Sequence, residues 1–474
     1  LFEDIAAPGG LPASGFIDSY AAFTSASERN VPVRDPIIRS QLPWKTFHLQ
    51  EWLLDGTAPV NGDEEALQAA VAEHAENYDM KQKSRHEDIL CVDDVVVTHA
   101  REDYRWTDIS NPTTIARGLV EHKVSVSNWA GYYDSGSFRG SIRMHNDLLA
   151  AGGQSHLIAG PWSHGVRSSW TPQAGPEATG PSFDLYADVK RFVDCSLRGQ
   201  HCGSTAEEGR ATLPLQYFMS GGNGPDEWHA AKGTWPPQRN NESVTWHDFW
   251  LHRHGVLAEN SCEGAGATVL FDVSSSATSG LVSRWNLVQA LMLRSVTYSG
   301  VGSSSEDGSS MIFVGESVEI HNGAKNGVDM VGSALVELML SIKAPSDAQD
   351  AAIFVYLEDV APDGTVHYVT EGQVRASHAS ITHPSSQVGS METVTRTYRR
   401  SDLQPLAVGD PPRMISLLLE PMAYRFPPGH RVRLRVSGAD QDNFFLGSVP
   451  GLATQWEVHL AESRVRLPGV HTLD

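Results

Sequence analysis

The sequence predicts a mixed α/β + β chain, an α/β region followed by an all-β region, and three stretches carry that expectation. In residues 124–165, two short apolar runs (124–129 and 156–159) each end in a Gly-containing turn bearing one ionisable residue, Asp134 and then His164. Between the runs, Ile142, Leu148 and Leu149 fall among Arg143, His145, Asn146 and Asp147 in a helical pattern closed by Gly152-Gly153. That is a strand–helix–strand unit. In SFDLYADVKRFVDCSLRG (182–199), Phe183, Tyr186, Val189, Phe192 and Val193 recur at three-and-four spacing, which predicts an amphipathic helix packed on a sheet. From about residue 240 onward, short β-rich runs recur between Gly, Ser, Asp and Pro clusters with no helical pattern between them. Many of them alternate apolar with polar, as strands buried on one face do, and so many strands without helices imply a sandwich or jelly roll.

The remaining elements follow in chain order. Residues 1–60 are rich in Pro, Gly and aromatics and read as loops and short helices, with LPWKTFHLQEWLLDG as the best helix candidate. Residues 63–90 carry Leu67, Val71 and Ala75 at fourfold spacing behind an acidic start, which suits a helix dipole. His74 and His86 in that run are read as solvated side chains. SNPTTIARGLVEHKVSV is a short amphipathic helix leading into the strand before Asp134. LPLQYFMSG (213–221) is the next strand, and GGNGPDEWHAAKGTWPP is a turn-rich crossover. It has no Lys-Ser/Thr ending and no following helix, so it is not a phosphate loop. Pro362-Asp363-Gly364 between two alternating runs is a hairpin turn, because Gly supplies positive φ.

Asp134 and His164, at successive strand ends, reproduce the tail of the chain order nucleophile, acid, base. Open parallel sheets place functional groups at the carboxyl ends of their strands. GYYD (131–134) and GPWSHG (160–165) resemble the acid and base motifs of the cocaine esterase and X-prolyl dipeptidyl-peptidase group of serine hydrolases. LEDVAPDGTVHYVTEGQVRASH and FPPGHRVRLRVSGADQDNF resemble the carboxyl-terminal jelly roll of the same group. The resemblance implies three regions: a helical cap and connecting loops at 1–110, the C-terminal half of an α/β-hydrolase domain at 111–235, and a jelly-roll β-sandwich at 236–474. It implies a catalytic pair, Asp134 and His164, acting through an acyl-enzyme on an acyl ester, an amino-acid ester or an X-Pro peptide. It calls for no metal or organic cofactor.

The nucleophile is not found. A Gly-x-Ser-x-Gly elbow is expected before the acid, and no such motif stands upstream of Asp134. Ser14 and Ser19 lack the preceding Gly, Ser137 lies three residues past the acid, and Ser155 occupies the turn before the next strand. The expectation is a processed, split or truncated enzyme, with the serine and the first hydrolase strands on a segment or second chain outside this sequence. The alternative is a non-catalytic binding or assembly protein that retained the scaffold.

Composition narrows the rest. The 474 residues suggest two or three domains. A net charge of −21 opposes nucleic-acid binding, which needs a basic footprint. No apolar run approaches the ~18 residues of a membrane span. Cys195 and Cys202 flank SLRGQH, close enough for a local disulfide if the turn folds back, with two unrelated thiols as the other reading. An exported location, periplasmic or secreted, is favoured over a cytoplasmic one. His252 and His254 would share one face of a strand, but they lack a third ligand and read as ordinary histidines. SSSEDGSS (303–310) reads as a flexible turn, not a calcium loop.

Overall fold

The computed structural model describes residues 5–17, 24, 28–30, 57–75, 90–99, 102–108, 115–164, 184–199, 213–221, 228–237, 245–261, 266–286, 298, 308–317, 327–379, 396–447 and 449–469. The helix expected over LPWKTFHLQEWLLDG, the residues His86, Cys202 and Cys262, and most of SSSEDGSS lie outside them. Helix α1 (Glu64–His74) begins where the acidic start predicts: the Asp63 carboxylate accepts from Ala66 N at 2.9 Å, with Glu64 and Glu65 in the first turn. None of its side chains is buried. An antiparallel ribbon, β1 (Val95–His99) with β2 (Glu102–Arg105), and a short helix α2 (Ala116–Glu121) follow.

The α/β region is a four-stranded sheet in the order β3 (Val126–Gly131), β4 (Ser155–Gly160), β5 (Leu215–Phe218), β6 (Trp228–Ala231). β3, β4 and β5 run parallel, and β6 is antiparallel to β5. Leu157, Ile158 and Ala159 of β4 are fully buried, as a strand covered on both faces requires. The crossover from β3 to β4 is helix α3 (Ser137–Ala150), which buries Phe138, Met144, His145 and Leu148. β6 falls inside the stretch expected to be turns. Its Trp228 pairs opposite Phe218, and the two rings meet at 5.6 Å. The aromatic side chains make a strand of a segment whose glycines suggested none.

Helix α4 (Leu185–Arg198) forms as predicted but turns the other way. Tyr186 is 84% exposed and Leu197 80%, whereas Asp188 and Asp194 are buried. Asp188 is drawn inward by Trp129 Nε1 at 2.8 Å and by Arg191 at 2.5 Å. Asp194 is held by Lys190 and Arg198, one turn to either side. Paired carboxylates therefore set the orientation that apolar spacing alone assigned wrongly. Cys195 on this helix is disulfide-bonded, its partner lying outside the described residues, and Cys91 is a free, buried thiol.

The all-β region contains twelve strands among the described residues: β7 (Thr245–His252), β8 (Val256–Ala258), β9 (Thr268–Asp272), β10 (Met311–Ser317), β11 (Val328–Gly332), β12 (Leu335–Ala344), β13 (Ala352–Val360), β14 (Val366–Arg375), β15 (Arg413–Leu418), β16 (Met422–Phe426), β17 (Arg431–Ser437) and β18 (Gln455–Gly469). β14, β13, β17 and β10 pair in that order. The 15-residue β18 pairs with β7, β9, β11 and β12, and turns Trp456, Val458 and Leu460 inward at alternate positions and then, after a one-residue shift in register, Ser463, Val465 and Leu467. The β13–β14 hairpin closes as expected: Gly364 has φ +89, and its N–H donates to Ala361 O at 2.9 Å. His252 ends β7, while His254 sits in the following turn at φ +62, so the two do not share a strand face.

Several contacts join the regions among the described residues, and two of them run along the backbone. Beyond β5, Ser220 exchanges backbone hydrogen bonds with Ala423 and Arg425 of β16 at 3.0 and 2.7 Å. Residues 5–17 lie against β14, where a Cβ on Gly9 (φ +68) would meet Gln373 O at 2.0 Å.

Candidate active site

The turn after β3 and the turn after β4 interlock through backbone. Tyr132 N–H donates to Gly160 O at 2.9 Å, and Tyr133 N–H to Trp162 O at 3.0 Å. This close approach explains both motif glycines. A Cβ on Gly131 would stand 2.2 Å from Trp162 O, and one on Gly160 would stand 2.7 Å from the Trp162 ring. Trp162 itself is buried, its ring packing at 5.7 Å and a 40° tilt against Trp228 of β6. The Tyr132 hydroxyl donates to Phe218 O at 2.8 Å, tying the first turn to the end of β5.

That interlock brings Asp134 and His164 together. His164 Nδ1 lies 3.1 Å from both carboxylate oxygens of Asp134, which leaves Nε2 on the far edge of the ring. The histidine side chain is 50% exposed and the aspartate 18%. The hydrogen bond that His164 donates to Asp134 holds the imidazole pKa above its ordinary value, against the opposing pull of partial burial. An imidazole bonded at Nδ1 and open at Nε2 can accept a proton from a hydroxyl and return it to a leaving group.

Among the described residues, no serine hydroxyl is hydrogen-bonded to that Nε2. Ser137 starts α3 and donates to Asp134 O at 2.6 Å, and Ser155 starts β4 and bonds His145 Nδ1 at 2.9 Å. Ser14 begins a helical turn in the 5–17 segment that lies against the β-sandwich, and Ser19 is outside the described residues.

Among the described residues, one cluster has metal-ligand chemistry, Cys91 with Asp93 and Asp94. Asp94 is already committed, accepting from the backbone of Leu90 and Cys91 at 2.7 and 2.8 Å and from Arg400 at 2.7 Å. Asp93 accepts from Arg400 N at 2.8 Å. This is a capped turn with an ion pair.

Sequence reasoning missed the buried polar hub beside the Asp134 turn. Arg284 is 1% exposed, with its Nε 3.6 Å from Glu371 and its Nη1 3.9 Å from Glu420. Arg139 of α3 reaches the same Glu420 at 2.5 Å. These residues come from four distant parts of the chain, and no local spacing announces them.

Residues 211–454 match the family model of the X-Pro dipeptidyl-peptidase C-terminal non-catalytic domain. Two curated relatives, from Mycobacterium bovis and Mycobacterium tuberculosis, carry a provisional serine-esterase name. Each is 27% identical over 99% of this chain and 70% of its own length. A CocE/NonD family hydrolase from Staphylococcus aureus shares the fold with a TM-score of 0.55 at 13% identity, covering 99% of this chain and 66% of that one. An α-amino acid ester hydrolase matches at TM-score 0.55 and 16% identity, over 77% of this chain and 58% of its own. The chain thus spans 70% of the curated relatives and just under two thirds of the Staphylococcus protein.

Proposed function

The chain belongs, through residues 211–454, to the X-Pro dipeptidyl-peptidase C-terminal non-catalytic domain family, and we propose that the part preceding that domain makes it the acid- and base-bearing portion of a serine hydrolase. Its residues 111–235 act as the C-terminal half of an α/β-hydrolase domain, with a helical cap drawn from 1–110 and a jelly roll at 236–474. The nucleophilic serine and the oxyanion donors are supplied by a segment or chain outside this sequence. The observation that carries the reading is the Asp134–His164 pair, with both carboxylate oxygens 3.1 Å from Nδ1.

The chemistry follows from that geometry. The serine hydroxyl attacks an ester or amide carbonyl while His164 Nε2 takes its proton. The tetrahedral adduct then collapses, the bond to the leaving group breaks, and the imidazolium returns the proton to the departing oxygen or nitrogen. A water molecule, deprotonated by the same Nε2, releases the acyl group and restores the serine. Asp134 fixes the tautomer and stabilises the imidazolium without itself taking the proton. The substrate class is an acyl ester, an amino-acid ester or an X-Pro peptide.

The test is turnover by the native material, including any co-purifying polypeptide, on a nitrophenyl acyl ester, an aminoacyl ester and an X-Pro anilide. The reading expects hydrolysis of at least one, lost by a factor of about 10³ or more in His164→Ala. Full turnover in that variant rejects the assignment. A folded native protein inert towards all three supports the scaffold-only reading instead.

A further inference from the structure

The carboxylate of Asp134 makes both of its hydrogen bonds, among the described residues, to His164. Its aim therefore depends on the backbone of its own turn. That backbone is unusual at the next residue: Ser135 adopts φ +48, a left-handed conformation that a residue with a Cβ occupies only when its surroundings enforce it. The surroundings come from the all-β region. Ser135 is buried, and its hydroxyl donates to the backbone oxygen of Arg284 at 3.0 Å, across 149 positions of sequence.

Arg284 is itself fixed from several sides. Its backbone N–H and its Nε reach the Tyr298 hydroxyl at 3.2 and 3.3 Å, and its guanidinium sits near Glu371 of β14 and Glu420. The same guanidinium lies 5.7 Å from the Tyr133 ring, one residue before Asp134. On the other side of the turn, Arg139 in the first turn of α3 is paired with Glu420. Glu420 and Glu371 are joined in turn by the Glu420 N–H donating to Glu371 O at 2.7 Å. Residues 133, 135 and 139 thus contact one buried hub, and every member of that hub belongs to residues 284–420.

We propose that the Ser135–Arg284 hydrogen bond and the Arg139–Glu420 ion pair make the β-sandwich a positioning element of the active site, holding the Asp134 turn so that its carboxylate faces His164 Nδ1. This rests on the reading of Asp134 and His164 as the proton relay. Ser135, Arg284, Arg139 and Glu420 are positioning residues, acting on the reaction only through Asp134. A misaimed carboxylate would leave the imidazole free to rotate or to take the other tautomer, and small misplacements of this kind cost turnover far more than binding.

The experiment compares Ser135→Ala, Ser135→Gly and Glu420→Gln with the native enzyme. The glycine variant removes the hydroxyl while accepting the left-handed backbone, and the glutamine variant keeps an acceptor for Arg139 while removing the charge. The expected result is kcat lower by about 10-fold or more in both Ser135 variants with KM within about twofold. The acid limb of the pH–rate profile, set by His164, should move to lower pH as the imidazole loses its partner. Glu420→Gln should show the same signature more weakly. Native kcat and an unmoved acid limb in the Ser135 variants, with His164→Ala inactive, would overturn the positioning role and leave the hub as domain cement. Full turnover in His164→Ala would overturn the relay reading, and this inference with it.

Discussion

Asp134 and Gly131 do different jobs within one four-residue motif, and substitutions separate them. Asp134→Asn keeps the shape and removes the charge, so the imidazole is held in the wrong tautomer; kcat is expected to fall by ~10⁴, as when the acid of a catalytic triad is made neutral. The pH profile should move with it. His164 has a raised pKa because of the Asp134 hydrogen bond, and the protonated ring cannot accept the serine proton. Activity therefore rises as pH climbs through that raised value, and removing the carboxylate shifts the rise to lower pH. A profile with an unchanged acid limb would separate the titrating group from His164. Gly131→Ala acts sterically: its Cβ would fall 2.2 Å from a backbone oxygen, which cannot rotate away. The expected cost is about 1–3 kcal/mol of stability, read by denaturant unfolding, together with a loss of turnover as the His164 turn is displaced. The pairing of Asp134 with His164 was legible in the sequence because each sits in a short glycine-bounded motif whose residues touch one another.

At the scale of elements, α4 separates what spacing can and cannot say. Its length and existence were legible from the three-and-four repeat, and the Asp184 cap and Gly199 terminator agree, with Gly199 at φ +64. Its orientation was not legible, because Asp188 and Trp129 are 59 residues apart and only the fold pairs them. Leu197→Ala should change stability within about 0.5 kcal/mol, as an exposed substitution does. Asp188→Ala should cost about 1–3 kcal/mol by leaving the Trp129 indole N–H and Arg191 without their acceptor. Urea unfolding of the two variants decides it; the opposite ranking would mean that the apolar stripe packs inward in solution. β6 shows the converse failure. Glycines and prolines around Trp228 masked a strand that aromatic contacts with Phe218 and Trp162 impose.

At the scale of the whole molecule, the joint between the α/β and all-β regions buries charge, and its titration should be visible in stability. Burial pushes the Glu371 carboxyl up to about 8, against the pull of Arg284, with Asp440, Arg435 and Glu420 as the other charged neighbours. The folded state thus holds this proton more tightly than the unfolded chain, whose ordinary value is 4.5. The contribution is fully present below the unfolded value and is lost as pH rises through the folded one. Between pH 4.5 and 8 the unfolding free energy of Glu371→Gln should depend less on pH than that of the native protein; parallel curves would show that Glu371 is ionised in the fold. None of this joint was legible in the sequence, since its residues are spread from Ser135 to Glu420. The β-sandwich itself was legible, because alternation and turn residues are local. The most direct test of the account is fluorophosphonate labelling of the native material, followed by mass-spectrometric mapping of the adduct. The account predicts an adduct on a serine outside these 474 residues, formed in the native protein and lost in His164→Ala. An adduct on a serine of this chain, or labelling that survives the loss of His164, would contradict it.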